Sequence, residues 1–139
     1  MGLPGSGKST LAHHLSLKLF QNVVWLNADE VRQFHNDLEF SHEGRIQQAS
    51  RMRELADNLD KEYVICDFVA PTEDLRMMFD ADFTIWVDTI KESRYQSIDS
   101  IFEPPTNYNF RVTEQNAVAH SKLIANQLLT CINIEYHSD

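Results

Sequence analysis

The first ten residues carry a chemistry of their own: Met1-Gly2-Leu3-Pro4-Gly5-Ser6-Gly7-Lys8-Ser9-Thr10. Gly2, Gly7, Lys8 and Ser9 complete the pattern G-x-x-x-x-G-K-[ST], the spacing of a phosphate-binding P-loop. Glycines at 2, 5 and 7 permit positive φ and carry no Cβ, so successive backbone N–H groups converge on an anion. Lys8 adds a mobile positive charge for the β- and γ-phosphates, and the Ser9 hydroxyl is a ligand for the Mg²⁺ that bridges them. Gly2, Leu3, Pro4, Gly5, Ser6, Gly7, Lys8, Ser9 and Thr10 are therefore the expected cradle of a nucleoside triphosphate.

A second group of polar residues is expected where ligands sit in α/β sheets, outside the carboxyl ends of the strands. Asp29, Asp67 and Asp88 each follow or end an apolar run. Asp67 comes after four apolar residues, the Walker B arrangement, whose carboxylate orients Mg²⁺ directly or through water. Asp29 is placed to accept a proton from an attacking hydroxyl. Both also read as a helix cap or strand-end turn, and for Asp88 the helix cap is the preferred reading. Arg32, Arg45, Arg51 and Arg76 are the candidate cations for an anionic acceptor, since arginine binds phosphate or sulfate through two N–H bonds. Arg51 with Arg53 also reads as a solvated helix face. Phe34, Phe40 and Phe102 suit a clamp on a base, although each alone reads as core packing. The six histidines show no ligand spacing.

These residues need elements to position them. Leu11, Leu15 and Leu19 recur every four residues, as one buried face of a helix after the P-loop requires; the dipole of that helix also faces the phosphates. A central parallel strand should precede the loop, yet only Met1 stands before Gly2. The expectation is a truncated first strand, because a gap in the sheet would leave two neighbouring strand edges unpaired. Residues 22–26 read as a short buried strand and Asp29 to His35 as a short helix. Ser41 is the expected N-cap of a longer helix with Ile46, Ala49, Met52, Ala56 and Leu59 on one face, its first turn weakened by Gly44.

Residues 63–68 read as an inner parallel strand. Pro71 and Thr72 open a short helix through Met78, residues 82–87 form another strand, and Ile90 to Ser97 another short helix. Residues 102–107 make a proline-fixed loop. Thr113 is the expected cap of a last helix carrying Ala117, Ile124 and Leu128, with Val112 stapled on Ala117, and residues 131–139 read as a ragged end. Alternating strands and helices predict a three-layer α/β/α P-loop NTPase fold with a parallel sheet, as a single domain over residues 1–139.

Composition narrows the partners. The 139 residues, 42% hydrophobic and 24% charged, suit one soluble domain with a sizeable core. A net charge of −9 without a Lys/Arg-rich run argues against a nucleic-acid surface. Cys66 and Cys131 are too few for a disulfide framework and lack metal spacing. Neither a signal peptide nor a membrane span is evident, so a reducing cytoplasm is the expected location.

The chain resembles the adenylylsulphate (APS) kinase family over Gly2 to about Pro105. Gly2-Leu3-Pro4-Gly5-Ser6-Gly7-Lys8-Ser9-Thr10-Leu11-Ala12 is similar to the family's G-L-S-G-A-G-K-S-T-L-A. Asn27-Ala28-Asp29 with Arg32 occupies the place of D-G-D-x-x-R, and Phe40 to Arg45 that of F-S-x-x-D-R, with Gln48 on the asparagine of N-I-R-R. Phe68-Val69-Ala70-Pro71 with Arg76 is similar to F-I-S-P-x-x-x-x-R, Val87-Asp88-Thr89 to V-D-T, and Phe102-Glu103-Pro104-Pro105 to Y-E-x-P. Asn27 replaces the first aspartate, and Ala70 replaces a serine linked in the family to a phosphoenzyme form. The segment before Phe102 is shorter than the family's lid, and a reduced lid excludes water less completely.

The resemblance implies an ATP- and Mg²⁺-dependent kinase that phosphorylates the 3′-hydroxyl of APS. Lys8 and Asp29 are then the catalytic pair, and Ser9 and Asp67 the metal residues. Asn27, Asp29, Arg32, Phe40, Arg45, Gln48 and Phe102 line the acceptor. A homodimer is implied by analogy alone. Two other readings stay open: a P-loop kinase for another nucleotide, a polynucleotide end or a small alcohol, and a nucleotide-binding protein without catalysis.

Overall fold

Leu11, Leu15 and Leu19 are buried along one side of α1 (Lys8–Leu19), as their spacing predicts. In the computed structural model the described residues are 1–137, without the side chains of Gln21 and 131–137. After a single 3₁₀ turn at Phe20–Asn22 come β1 (Val23–Asn27), α2 (Ala28–Phe34), α3 (His42–Asp57) and β2 (Tyr63–Asp67). The chain continues through α4 (Glu73–Phe79), β3 (Ile85–Val87), α5 (Gln96–Asp99), β4 (Phe110–Val112) and α6 (Ala117–His137).

All pairing is parallel, which fits the predicted class, but the sheet comes in two pieces. β1 pairs with β2, Asn27 opposite Asp67, and β3 pairs with β4, Ile85 opposite Phe110. Between the pieces, among the described residues, run Met1 and Gly2. The Met1 amine donates to the Ile85 carbonyl at 2.8 Å, Val87 N–H to the Met1 carbonyl at 2.9 Å, and Gly2 N–H to the Val69 carbonyl at 3.3 Å. The place of the expected central strand thus holds one residue of pairing. Burial pushes the Met1 amine down to about 5, because the charged form loses its water. β1 and most of β2, expected as buried strands, are half-buried: β2 has no further strand in the lane beside it among the described residues, and β1 is the outer strand of the pair.

The core lies between α1, α6 and the β3–β4 pair: Leu11, Leu15, Leu19, Val87, Val112, Ile124 and Ala125. On the other side α3 packs on β2 and is flanked by α2 and α4, completing three layers. Among the described residues no helix is long and apolar enough to cross a membrane.

The local caps follow the sequence. Ser41 Oγ accepts from Gly44 N–H at 3.1 Å and starts α3, and Thr72 Oγ1 accepts from Leu75 N–H at 3.4 Å and starts α4. Gly44 is a packing requirement of that first turn: a Cβ there would lie 2.4 Å from the Glu39 carbonyl oxygen. Gly44→Ala is expected to destabilise the fold by about 2 kcal/mol, as backbone overpacking does. Thermal unfolding would check this, with a fall in Tm of roughly 6 °C expected for a chain of this size.

Several expectations fail, each for a visible reason. No helix spans Ile90 to Ser97: Ser93 N–H and Oγ bond the Asp99 carboxylate, which bends the segment and leaves only the single turn of α5. Asp88 caps nothing, because its carboxylate is held by Arg111 and Lys91. Thr113 is displaced as cap by Asn116, whose Oδ1 accepts from Ala119 N–H at 3.3 Å. The intervening residues are taken up by the turn after β4, a three-residue strand that sequence pattern missed. α6 extends to His137, so the expected ragged end is helical up to there, and residues 138–139 lie outside the described residues.

Candidate active site

The P-loop is fastened at both ends and in its middle. Gly2 has φ 153° and so little room that a Cβ would lie 2.4 Å from the Val87 carbonyl oxygen, which ties the loop's start to β3. The Ser6 carbonyl accepts from Thr89 Oγ1 at 2.6 Å and from Gln115 Nε2 at 3.3 Å. The loop is therefore pinned to the ends of β3 and β4, while its chain leads directly into α1. Gly7 stands at the N-cap with no side chain closing the first turn, so the first N–H groups of α1 remain available to an anion.

Lys8 reaches back to the Leu3 carbonyl at 3.0 Å. Burial lowers its pKa, and the carboxylates of Asp67 and Asp29 act in the opposite sense. A cation held partly dehydrated beside open N–H groups is poised for phosphate oxygens.

Ser9, Asn27 and Asp67 meet at the strand ends. Ser9 Oγ donates to Asp67 Oδ2 at 2.8 Å, and Asn27 Nδ2 donates to the same oxygen at 3.0 Å and to Ser9 Oγ at 3.2 Å. Asp67 is a buried carboxylate at the end of β2, and its bonds to Ser9 and Asn27 are to side chains, so the helix-cap reading falls. No cluster of three His, Cys, Asp or Glu side chains suited to a metal exists among the described residues. One carboxylate and one hydroxyl are a donor set for Mg²⁺ shared with substrate phosphates rather than for an all-protein cage. Asn27 also accepts from Glu30 N–H at 3.1 Å and so caps α2. That leaves Asp29 uncommitted and exposed in the first turn.

The predicted acceptor residues gather around the α2–α3 connection, but differently from the expectation. Arg32 is buried, donates to the Glu39 carbonyl at 2.8 Å, pairs with Asp37 at 3.4 Å and lies 4.3 Å from the centre of the Phe40 ring. Its guanidinium is thus a bracket for Phe40. Arg45 bonds the Phe40 carbonyl through Nε at 3.1 Å and carries the freer cation. Gln48 Nε2 donates to the Ala28 carbonyl at 3.0 Å, beside Asp29, and its Oε1 accepts from Arg51 at 2.7 Å.

Phe102 is placed elsewhere, under the Arg76 guanidinium at the β2–α4 connection. Arg76 itself holds the Ala70 and Glu103 carbonyls and Glu73, and is a structural clasp. The solvated-face reading of Arg51 and Arg53 is overturned, since Arg51 pairs with Asp37 and Arg53 closes the end of α4 through the Phe79 and Asp80 carbonyls. Phe34 and Phe40 are not core: they are 86% and 52% exposed.

A cavity of about 230 Å³ opens beside the loop, walled by Leu11, Val87, Val112 and Ala117 and edged by Thr10 and Asn116. Apolar walls with a few polar edges suit a heteroaromatic ring. Thr89 entered the sequence reading only within the V-D-T likeness, with no role assigned, and Gln115 and Asn116 were missed. For Gln115 and Asn116 the signal was a polar run at 113–116 ahead of an apolar-periodic helix.

The profile of the adenylylsulphate kinase family matches residues 1–92. No curated protein matches the chain in sequence. Among solved structures, the chain is similar to the Mycobacterium tuberculosis APS kinase CysC in complex with AMPPNP and APS. The two share 22% identity over 92% of this chain and 94% of that one, with a TM-score of 0.78. A cysteine-to-alanine mutant of the same enzyme aligns at 22% identity over 92% of each chain, with a TM-score of 0.73. These likenesses show a P-loop NTPase fold.

Proposed function

Because the chain belongs to the adenylylsulphate kinase family, we propose that it is an ATP-dependent kinase acting on the 3′-hydroxyl of APS, yielding 3′-phospho-APS and ADP. The observation that carries this reading is a convergence. Lys8 and the Ser9–Asp67 pair stand at the strand ends, with Asp29 at the head of α2 and the Arg32–Phe40–Arg45 cluster following it in the same α2–α3 region.

Under this reading the P-loop N–H groups and Lys8 hold the triphosphate, and the cavity beside Thr10 and Asn116 takes its base. Ser9 and Asp67 would hold Mg²⁺, which when bound neutralises charge on the β- and γ-phosphates. Asp29 orients the acceptor hydroxyl and takes its proton, and the Phe40 ring, fixed by Arg32, offers a face to the acceptor's base, with Arg45 as the cation for its anionic group. Such transfer is mostly positioning and charge neutralisation, which suits so few catalytic groups. A cytoplasmic location belongs to the same proposal.

A second reading, a kinase for another acceptor alcohol, is favoured by one observation. Arg32 is already paired with Asp37, which leaves fewer free cations than a strongly anionic acceptor would use. Mass-spectrometric detection of 3′-phospho-APS after incubation with Mg·ATP and APS tests the proposal. Product is expected. No product from a protein that ATP protects against heat would discard APS, and a screen of other acceptor alcohols would then separate the second reading from a nucleotide binder without catalysis.

A further inference from the structure

Asn27 and Asp67 face each other on one rung of the β1–β2 pair, and both side chains reach the same Ser9 hydroxyl, Asn27 at 3.2 Å and Asp67 at 2.8 Å. They are also bonded to each other at 3.0 Å. We infer that these two strand ends are interchangeable: the metal position beside Ser9 requires one carboxylate and one amide across this rung, and either strand can carry the acid. The inference rests on the proposed reading only in that a Mg²⁺-nucleotide binds at the P-loop.

The hydrogen bonds support exchange. The amide of Asn27 is oriented by its second job, since its Oδ1 accepts from Glu30 N–H at 3.1 Å and caps α2; Nδ2 must then face Ser9 and Asp67. Aspartate is as good an N-cap as asparagine, so an acid at position 27 keeps α2 closed. An amide at position 67 with Nδ2 in the place of Oδ2 donates one N–H to that acid and the other to Ser9 Oγ, whose own O–H then turns to the acid, so each contact of the triangle is kept with its direction reversed. The charge count, the cap and the bonding across the rung are all preserved by the exchange. A single change to Asp67→Asn preserves the bonds and removes the charge.

The test compares the wild type, D67N and the double variant N27D/D67N by titration with ADP, with and without Mg²⁺, reading how many-fold Mg²⁺ tightens binding. D67N is expected to lose about tenfold of that gain, the scale seen when a group supporting a metal is removed. N27D/D67N is expected to return to within about threefold of wild type, because two residues in contact couple rather than add. Thermal melts run beside the titration. A double variant that stays at the D67N level overturns the inference, as does a D67N chain with the full wild-type gain. An unfolded double variant overturns it too, because the rung then does not tolerate exchange. An unfolded D67N beside a folded double variant with wild-type gain supports it. Wild type that binds no ADP under either condition overturns the P-loop reading and this inference together, whereas failure to phosphorylate APS leaves the inference standing.

Discussion

Lys8→Ala is expected to lower the proposed phosphoryl transfer about a thousandfold while the chain stays folded, the size expected when a preorganised positive group is withdrawn from a transition state. Lys8 is half-buried, with its pKa lowered by desolvation and sustained by Asp67 and Asp29. Its one bond, to the Leu3 carbonyl, is worth about 1 kcal/mol to the fold, and part of that is returned because a partly buried charge is no longer dehydrated. Steady-state kinetics beside a thermal melt checks the prediction. A folded Lys8→Ala protein with wild-type turnover would sink the proposed mechanism.

Asp29→Asn is expected to lower kcat by about a hundredfold to ten-thousandfold, the contribution of a positioned general base. Asp29 is exposed, and Asn27 rather than Asp29 caps α2, so the fold loses little beyond a weak interaction with the helix end. ATP affinity should stay within about twofold, because in the proposed mechanism Asp29 serves the acceptor and Lys8 the triphosphate. Pre-steady-state kinetics separates these effects. A fall in ATP affinity with kcat unchanged would remove Asp29 from the role of base.

The features legible in the sequence are local ones. The P-loop is read from spacing because its function is carried by backbone N–H groups within ten residues. Ser41 and Thr72 are read as caps because each bonds an N–H three residues on. The expectations that failed depended on distant partners. Asp88 reads as a cap until Arg111, on β4, claims its carboxylate. Arg51 and Arg53 read as solvated until Asp37 and the end of α4 engage them. Phe102 and Phe40 look like one clamp in sequence, yet sit at different connections, each under its own arginine.

By itself, the sequence determined the phosphate loop, the alternation that makes an α/β fold, and the identity of the residues able to do chemistry. Periodicity, caps and glycine spacing act over a few residues, and their energies are set wherever the chain goes. Tertiary structure alone decided which of those residues meet. Ser9 and Asp67 are 58 positions apart, and only the parallel register of β1 with β2 puts Asn27 across from Asp67 and both against the P-loop hydroxyl. The cavity beside the P-loop likewise exists only where α1, β3, β4 and the start of α6 close around it. A side chain's charge is written in the sequence, but its hydration and its partner are set by packing, and those two determine what the charge can do.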